Sequence, residues 1–199
     1  MGGNPCCCGD CSIFSDDFPD DPGTTLNSDW SEESGDWEYV GYDFLQENGT
    51  VDACVLAVAT TRKSKQTVSC RLKDLQTGDK PRVICNAVDV QNYHFAEMEQ
   101  NASDTTVRLY KRTGGSNSLL FEKVVDQIDL DSDVTLCINE KSFAWYADPV
   151  PGADAFIYFC NPSLFPNGKR GGLGNGGTST IQFDTFTIGD FIGAEGQRC

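Results

Sequence analysis

No lysine or arginine occurs before Arg62. Histidine is nearly absent, with His94 alone, and methionine occurs twice. No run approaches the roughly 18 apolar residues that a membrane-spanning helix needs. Each scarcity excludes something. A single histidine rules out metal sites built from two or more imidazoles. Residues 1–52 carry thirteen Asp and Glu and no basic residue. Such a segment repels phosphate backbones and anionic lipid, so neither nucleic acid nor membrane insertion is expected. The remaining residues carry seventeen acids against fifteen bases. The net charge of -15 therefore belongs to the N-terminal quarter, which reads as a solvated edge or as a strip that docks a cation or a partner. The first residues also lack the basic and apolar regions of a secretory signal. The chain is then expected to stay inside, to have had a signal removed, or to leave by another route such as lysis.

What is present is β structure. Segments alternate with period two and are rich in Val, Ile, Thr, Phe and Tyr. Strands are expected near 12–18, 36–40, 51–59, 67–73, 82–90, 93–99, 106–111, 119–125, 134–139, 142–147, 155–159 and 180–188. Turn signals separate them, among them Glu47-Asn48-Gly49, Thr77-Gly78-Asp79, Gly114-Gly115, Pro151-Gly152 and Pro166-Asn167-Gly168. Many short strands at this spacing predict an all-β, two-sheet antiparallel sandwich over 12–190. A Cys-rich head (1–11) precedes it and a tail (191–199) follows. Gly171 to Gly177 is read as a loop; it lacks the Lys-Ser/Thr and helix of a phosphate-binding loop.

A meander of hairpins over 51–99 would place Cys54, Cys70, Cys85 and Met98 in one row on the core face. Ser69, Arg71, Asn86, Glu97, Arg108 and Tyr110 would lie on the opposite, polar face. The core thiols Cys54, Cys70, Cys85 and Cys137 read as small hydrophobes, with a cross-strand disulfide as the alternative. His94 falls on the side of Ala96 and Met98, as a core or sheet-end residue. The head cysteines Cys6, Cys7, Cys8 and Cys11 differ from these. Cys8 and Cys11 have C-x-x-C spacing without a second such pair, which supports zinc weakly. Cross-linking is the better expectation, within or between subunits, with Cys160 or Cys199 as candidate mates and homo-oligomerisation through the head as one consequence.

An ordered set of motifs runs along the chain: Ser15-Asp16-Asp17-Phe18, Asn27-Ser28-Asp29-Trp30, Ser34-Gly35-Asp36-Trp37, Arg82-Val83-Ile84-Cys85-Asn86, Gln91-Asn92-Tyr93-His94-Phe95-Ala96, Val107-Arg108-Leu109-Tyr110-Lys111, Gly171-Gly172-Leu173-Gly174, and Phe183-Asp184-Thr185-Phe186-Thr187-Ile188. Their order resembles the concanavalin A-like lectin/glucanase superfamily, in the laminin-G-like group of bacterial surface and phage-related proteins. The resemblance implies a jelly roll whose first and last strands pair, bringing Asp17 near Asp184. Segments 14–18 and 183–188, both acidic with aromatic flanks, look like mates on their own account. Oxygen ligands abound there, so calcium at Asp17 and Asp184, with Asp16, Asp20 and Asp21 beside them, is the candidate ion; no cofactor is required.

Family members that hydrolyse glycans carry carboxylates on alternate residues of one strand. The matching stretch here is Glu97-Met98-Glu99, where a methionine replaces the central acid. A turn centred near Ala102-Ser103 would also set Glu97 opposite Arg108, as an ion pair. No catalytic site is therefore expected. Two functions remain. One is a lectin-like module that binds carbohydrate through Arg71, Asn86, Glu97, Arg108, Tyr110 and Trp145. The other is a decoration or fibre subunit of a phage-like particle or surface assembly, with another protein as partner; a glycoside hydrolase ranks third. An extracellular surface or virion-like particle is the expected location, after synthesis and assembly in the cytoplasm.

Overall fold

Alternating β-branched and aromatic residues give fifteen strands, all in antiparallel ladders, in a computed structural model that describes residues 12–18, 26–41, 44–73, 75–128, 131–148 and 156–191. The strands are β1 (Ser12–Asp16), β2 (Trp30–Ser34), β3 (Trp37–Val40), β4 (Phe44–Asn48), β5 (Ala53–Ala57), β6 (Gln66–Lys73), β7 (Pro81–Asp89), β8 (Asn92–Gln100), β9 (Asp104–Thr113), β10 (Ser116–Asp126), β11 (Asp133–Ile138), β12 (Ser142–Asp148), β13 (Phe156–Cys160), β14 (Arg170–Asn175) and β15 (Thr180–Asp190). One sheet has the order β13-β12-β11-β6-β15-β4-β3, with β1 also on β15. The other has the order β10-β9-β8-β7-β14-β5-β2. We call them the eight-stranded and the seven-stranded sheet. The two pack as a sandwich, as the alternation predicted. The described residues hold no helix long and apolar enough to cross a membrane.

The main core lies between the sheets. Val68, Cys70, Leu72, Leu136, Trp145, Phe183 and Phe186 enter from one side, and Val55, Val83, Cys85, Met98, Leu109 and Leu173 from the other. Burying each large apolar side chain contributes roughly 1.5–3 kcal/mol. The first and last strands do pair, with Phe14 opposite Ile188 and Asp16 opposite Phe186. The acidic-aromatic motifs build this closure. Trp30 packs on Phe186 at 4.8 Å, and its indole N–H donates to Asp16 Oδ2 at 2.7 Å. The Phe18 amide donates to Asp16 Oδ1 at 2.9 Å.

Three expectations need correction. First, β5, β6 and β7 are not a meander. The chain crosses between sheets after β5 and again after β6, and of the three expected hairpins over 51–99 only β7–β8 forms. Its register sets Cys85 opposite His94, not Met98, because the ladder is irregular between Cys85 and Asp89, where Asn86 takes a φ of 50°. The row of sulfurs does not form. Cys70, Cys85 and Met98 reach the main core from opposing sheets, whereas Cys54 and Cys137 point outward into two smaller buried clusters.

Second, the glycine run contains β14, a central strand between β7 and β5. A Cβ on Gly172 would collide with the Val55 carbonyl oxygen, and one on Gly171 would come within 2.9 Å of Val68 and Ile188. Glycine is there because neighbouring strands approach closely, a requirement local composition does not reveal. Third, β2 and β4 occupy stretches the alternation left unassigned.

Candidate functional site

The outward face of the seven-stranded sheet is organised in rows by its register. One row runs Glu122, Arg108, Glu97, Arg82, Gly174 and Cys54 across β10, β9, β8, β7, β14 and β5. The next runs Leu119, Tyr110, Phe95, Ile84, Gly172 and Leu56. A third begins Asn117, Arg112 and Tyr93. Period two puts Tyr93, Phe95, Glu97 and Glu99 of β8 on this face, and Arg108, Tyr110 and Arg112 of β9 beside them.

The charged row is an interlocked network. Glu97 Oε2 accepts from Arg82 Nε at 2.7 Å and lies 2.6 Å from Nη2. Arg82 Nη1 donates to Asp52 at 2.6 Å. Arg108 donates to Glu99 at 2.6 Å and Glu122 at 2.5 Å, and stands 3.9 Å from Glu97. Lys80 completes the set at 3.0 Å from Glu99. Hydrogen bonds from Arg108 and then Lys80 hold the Glu99 carboxyl below its ordinary value. Burial opposes the charge on Arg82, but Glu97 and Asp52 keep its pKa above the ordinary guanidinium value. A Cβ on Gly176 would strike Glu97 Oε2, so that glycine leaves room for the pair.

The aromatic row is stacked. Phe95 lies parallel to Tyr110 at 4.9 Å, and the Arg82 guanidinium covers Phe95 at 4.9 Å from its centroid. Arg112 lies 5.7 Å from the Tyr93 ring centre. Beneath them Cys54, Leu56, Ile84, Tyr93 and Phe95 form a second small core. Burial, then Glu33, pushes the Cys54 thiol up to about 12, so it is an inert filler. At the far end Arg170 joins Glu33 at 3.3 Å to the carbonyl oxygens of Ala57 and Leu56.

Of the six residues expected to bind ligand, Glu97, Arg108 and Tyr110 come together here. The other three do not. Arg71 is on the outward face of the eight-stranded sheet, bonded to Asp133 at 2.9 Å and 3.5 Å from Asp184. Trp145 is wholly inside the main core, because β12 turns it inward with Phe143. Asn86 is fully buried and works as a clamp. Its amide donates to the carbonyls of Ser64, Phe165 and Gly168, and its Oδ1 accepts from the Phe165 amide. His94, inward as expected, sets Nδ1 3.1 Å from Asn86 Oδ1 and Nε2 3.0 Å from the Pro162 carbonyl.

Asp17 is exposed, and Asp184 faces Arg71. Among the described residues no group of three or more His, Cys, Asp or Glu side chains is arranged to hold a metal. Cys6, Cys7, Cys8, Cys11, Asp20 and Asp21 lie outside the described residues. Cys160, at the end of β13, is disulfide-bonded. Sequence reasoning missed Arg82, Phe95, Tyr93, Arg112 and Arg170. The alternation of β8 and β9 carried the signal for three of them; Arg82 and Arg170 needed the placement of β14.

No family model matches the chain, and no curated protein sequence matches it. Solved structures do. The carbohydrate binding module CBM66 from Bacillus subtilis superposes with a TM-score of 0.64 at 20% identity, over 81% of this chain and 96% of that one. The GH43 protein BlXynB from Bacillus licheniformis gives 0.60 at 15%, over 89% of this chain and 39% of that one. A beta-1,3-glucanase from Mycobacterium marinum gives 0.57 at 14%, over 89% and 98%. The chain thus spans about two-fifths of the GH43 protein and nearly all of the other two. At such identities the likeness shows the fold alone: a concanavalin A-like jelly-roll sandwich.

Proposed function

We propose that this chain is a non-catalytic carbohydrate-binding module that takes its ligand on the outward face of the seven-stranded sheet, at an extracellular surface. One observation carries the non-catalytic reading. Both carboxylates of β8 are committed to cations, and Glu97 is only 6% exposed between Arg82 and Arg108. A glycoside hydrolase needs one carboxyl that can give up a proton and another that can meet the sugar. Glu97 is engaged by the Arg82 and Arg108 guanidiniums on either side of it, which supports the non-catalytic reading. Stacked aromatic rings beside fixed charged hydrogen-bonding groups are the means by which a sugar is held without being cut. The likeness to CBM66 supports the same reading. The disulfide at Cys160 supports maturation in an oxidising compartment.

The test is affinity electrophoresis against a panel of soluble polysaccharides, with reducing-end release assayed on the same panel. Retardation without cleavage is expected, reduced in Tyr110→Ala. Cleavage lost in Glu97→Gln would overturn the non-catalytic reading, and no retardation by any glycan would overturn the module itself.

A second reading, a subunit of a surface or particle assembly, is favoured by the edge strand β10, where Leu119 (52%), Phe121 (38%) and Val124 (58%) are exposed. Sedimentation as a monomer at high concentration would remove its support.

A further inference from the structure

The outward face of the eight-stranded sheet is open over β6 and β15, where Thr67, Ser69, Thr185 and Thr187 are half-buried. Over β11 and β12 it is closed. Thr135 (6% exposed), Cys137 (2%) and Ala144 (1%) point away from the main core, as their alternation with Leu136 and Trp145 requires, yet they are shut off from water. Two partly buried rings pack on Cys137 and Ala144: Tyr146 of β12 itself, and Phe191, the residue that follows β15. The Phe191 amide donates to the Lys65 carbonyl at 3.2 Å, beside the start of β6. Its ring therefore leans past β6 toward β11 and β12, and the chain leaves β15 in the direction of β13.

Cys160 stands at the other end of that path. Cys160 pairs with Ser142, Phe143 with Ile138, Ile138 with Gln66, and Gln66 with Asp190. Cys160 and Phe191 thus lie at the same end of the sheet, four strand spacings or about 19 Å apart. Cys160 is disulfide-bonded, while Cys54, Cys70, Cys85 and Cys137 are thiols, so its mate within the chain is Cys199 or one of Cys6, Cys7, Cys8 and Cys11. Reach separates these. Ser12 begins β1 on the edge of β15 away from β6, one spacing further out and about 24 Å from Cys160. A disulfide spans at most about 7 Å between Cα atoms. Cys8 and Cys11 lie within about 14 Å of chain from Ser12 and fall short, and Cys6 and Cys7 would need a straight, fully stretched chain. From Phe191 to Cys199 there is about 26 Å of chain for the shorter crossing, with slack to follow the sheet.

We propose that the outward face of β11 and β12 is the docking surface for residues 192–199, held there by a disulfide between Cys160 and Cys199. Ile192 and Ala194, at alternate positions, supply the apolar side chains that an extended strap lays on Cys137 and Ala144. Closing the bond takes one hydrogen from each thiol. The two protons and two electrons pass to the disulfide of a thiol oxidant, which leaves as a dithiol. The strap lies on the sheet opposite the proposed ligand face and is independent of the carbohydrate reading.

The full chain, purified without reductant, is denatured, its thiols are blocked with N-ethylmaleimide, and it is cleaved after glutamate, which releases residues 196–199 as a separate peptide. We expect mass spectrometry to find that peptide joined to the one bearing Cys160, in protein that runs as a monomer on a non-reducing gel. Cys160 joined to a head cysteine, or to a second copy, would overturn the pairing. Docking is read at Cys137. In native Cys160→Ser/Cys199→Ser, iodoacetamide should label Cys137 at least about tenfold faster than in the parent, with Cys54, Cys70 and Cys85 unchanged as the measure of an intact fold. Cys137 labelling at the parent rate would overturn the docking. All four thiols accelerating together would overturn it too, because the cover would then not be local to β11 and β12.

Discussion

Glu97 and Arg82 meet through two contacts to a single carboxylate oxygen, at 2.7 Å from Nε and 2.6 Å from Nη2, with both side chains almost wholly out of water. Removing one partner leaves the other buried and uncompensated. Arg82→Met should therefore cost about 3–5 kcal/mol, more than replacing both. Urea denaturation of Arg82→Met, Glu97→Met and the double variant checks this. If the double variant is the least stable of the three, Asp52 and Arg108 matter more than the pair itself.

Gly172→Ala should be among the most destabilising single-methyl additions in the chain. Its Cβ would press on the Val55 carbonyl and Leu56, backbone that cannot move without breaking the β14–β5 ladder. A loss of about 1–3 kcal/mol or more is expected. Gly78→Ala is the control: nothing lies within 4 Å of its Cβ, though its φ of 98° makes that change costly through the backbone alone. A thermal melt in which Gly172→Ala matches the parent would remove the close approach from the account of β14.

His94 should make the protein less stable in acid. Burial, opposed by the Pro162 carbonyl and aided by Lys111, lowers its pKa from 6.5 to about 4. A neutral ring carries one N–H, so only one of its two oxygen contacts is a hydrogen bond at a time. As pH falls from about 6.5 to about 4, the unfolded histidine takes a proton that the folded one refuses. This group's contribution is therefore complete above about 6.5 and declines across that window, by about 3 kcal/mol in all. Because His94 is the sole histidine, its ring proton shift can be followed without assignment. A midpoint above 6.5 would reverse the predicted sign. The pH slope of stability should flatten in His94→Gln.

The buried thiols should be inert in the fold. Cys54, Cys70 and Cys85 are all pushed up by burial. Iodoacetamide should modify them only after unfolding, whereas Cys160 should be modified only after reduction. Peptide mapping reads both. Rapid labelling of Cys54 in the native protein would mean that the small core under Tyr93 opens.

Much of the fold was legible because a strand announces itself locally. The alternation in Tyr93-His94-Phe95-Ala96-Glu97-Met98 assigns each residue to a face, and the turn near Ala102-Ser103 then sets Glu97 opposite Arg108, as found. That step needs only a hairpin, whose register is fixed by the few residues of its turn. The expected sulfur row failed because it extended hairpin logic to β5 and β6, which lie in different sheets. Trp145 failed as a ligand contact because an aromatic residue at an alternating position reads equally as platform or as core. Asn86 failed because its partners, Phe165 and Gly168, lie about eighty residues away.

By itself, the sequence determined most of the strands, the sandwich and the Glu97–Arg108 contact, which follow from period-two burial and short turns and are local. The pairing of the two ends came instead from the matching motifs and the resemblance they carry. Only the tertiary structure decided that the glycine run is a central strand, that Arg82 closes over Glu97, and that Arg112 lies against the Tyr93 ring. Those outcomes depend on which distant strands share a sheet. That choice is made by the burial of whole faces against one another, and no window of the chain contains it.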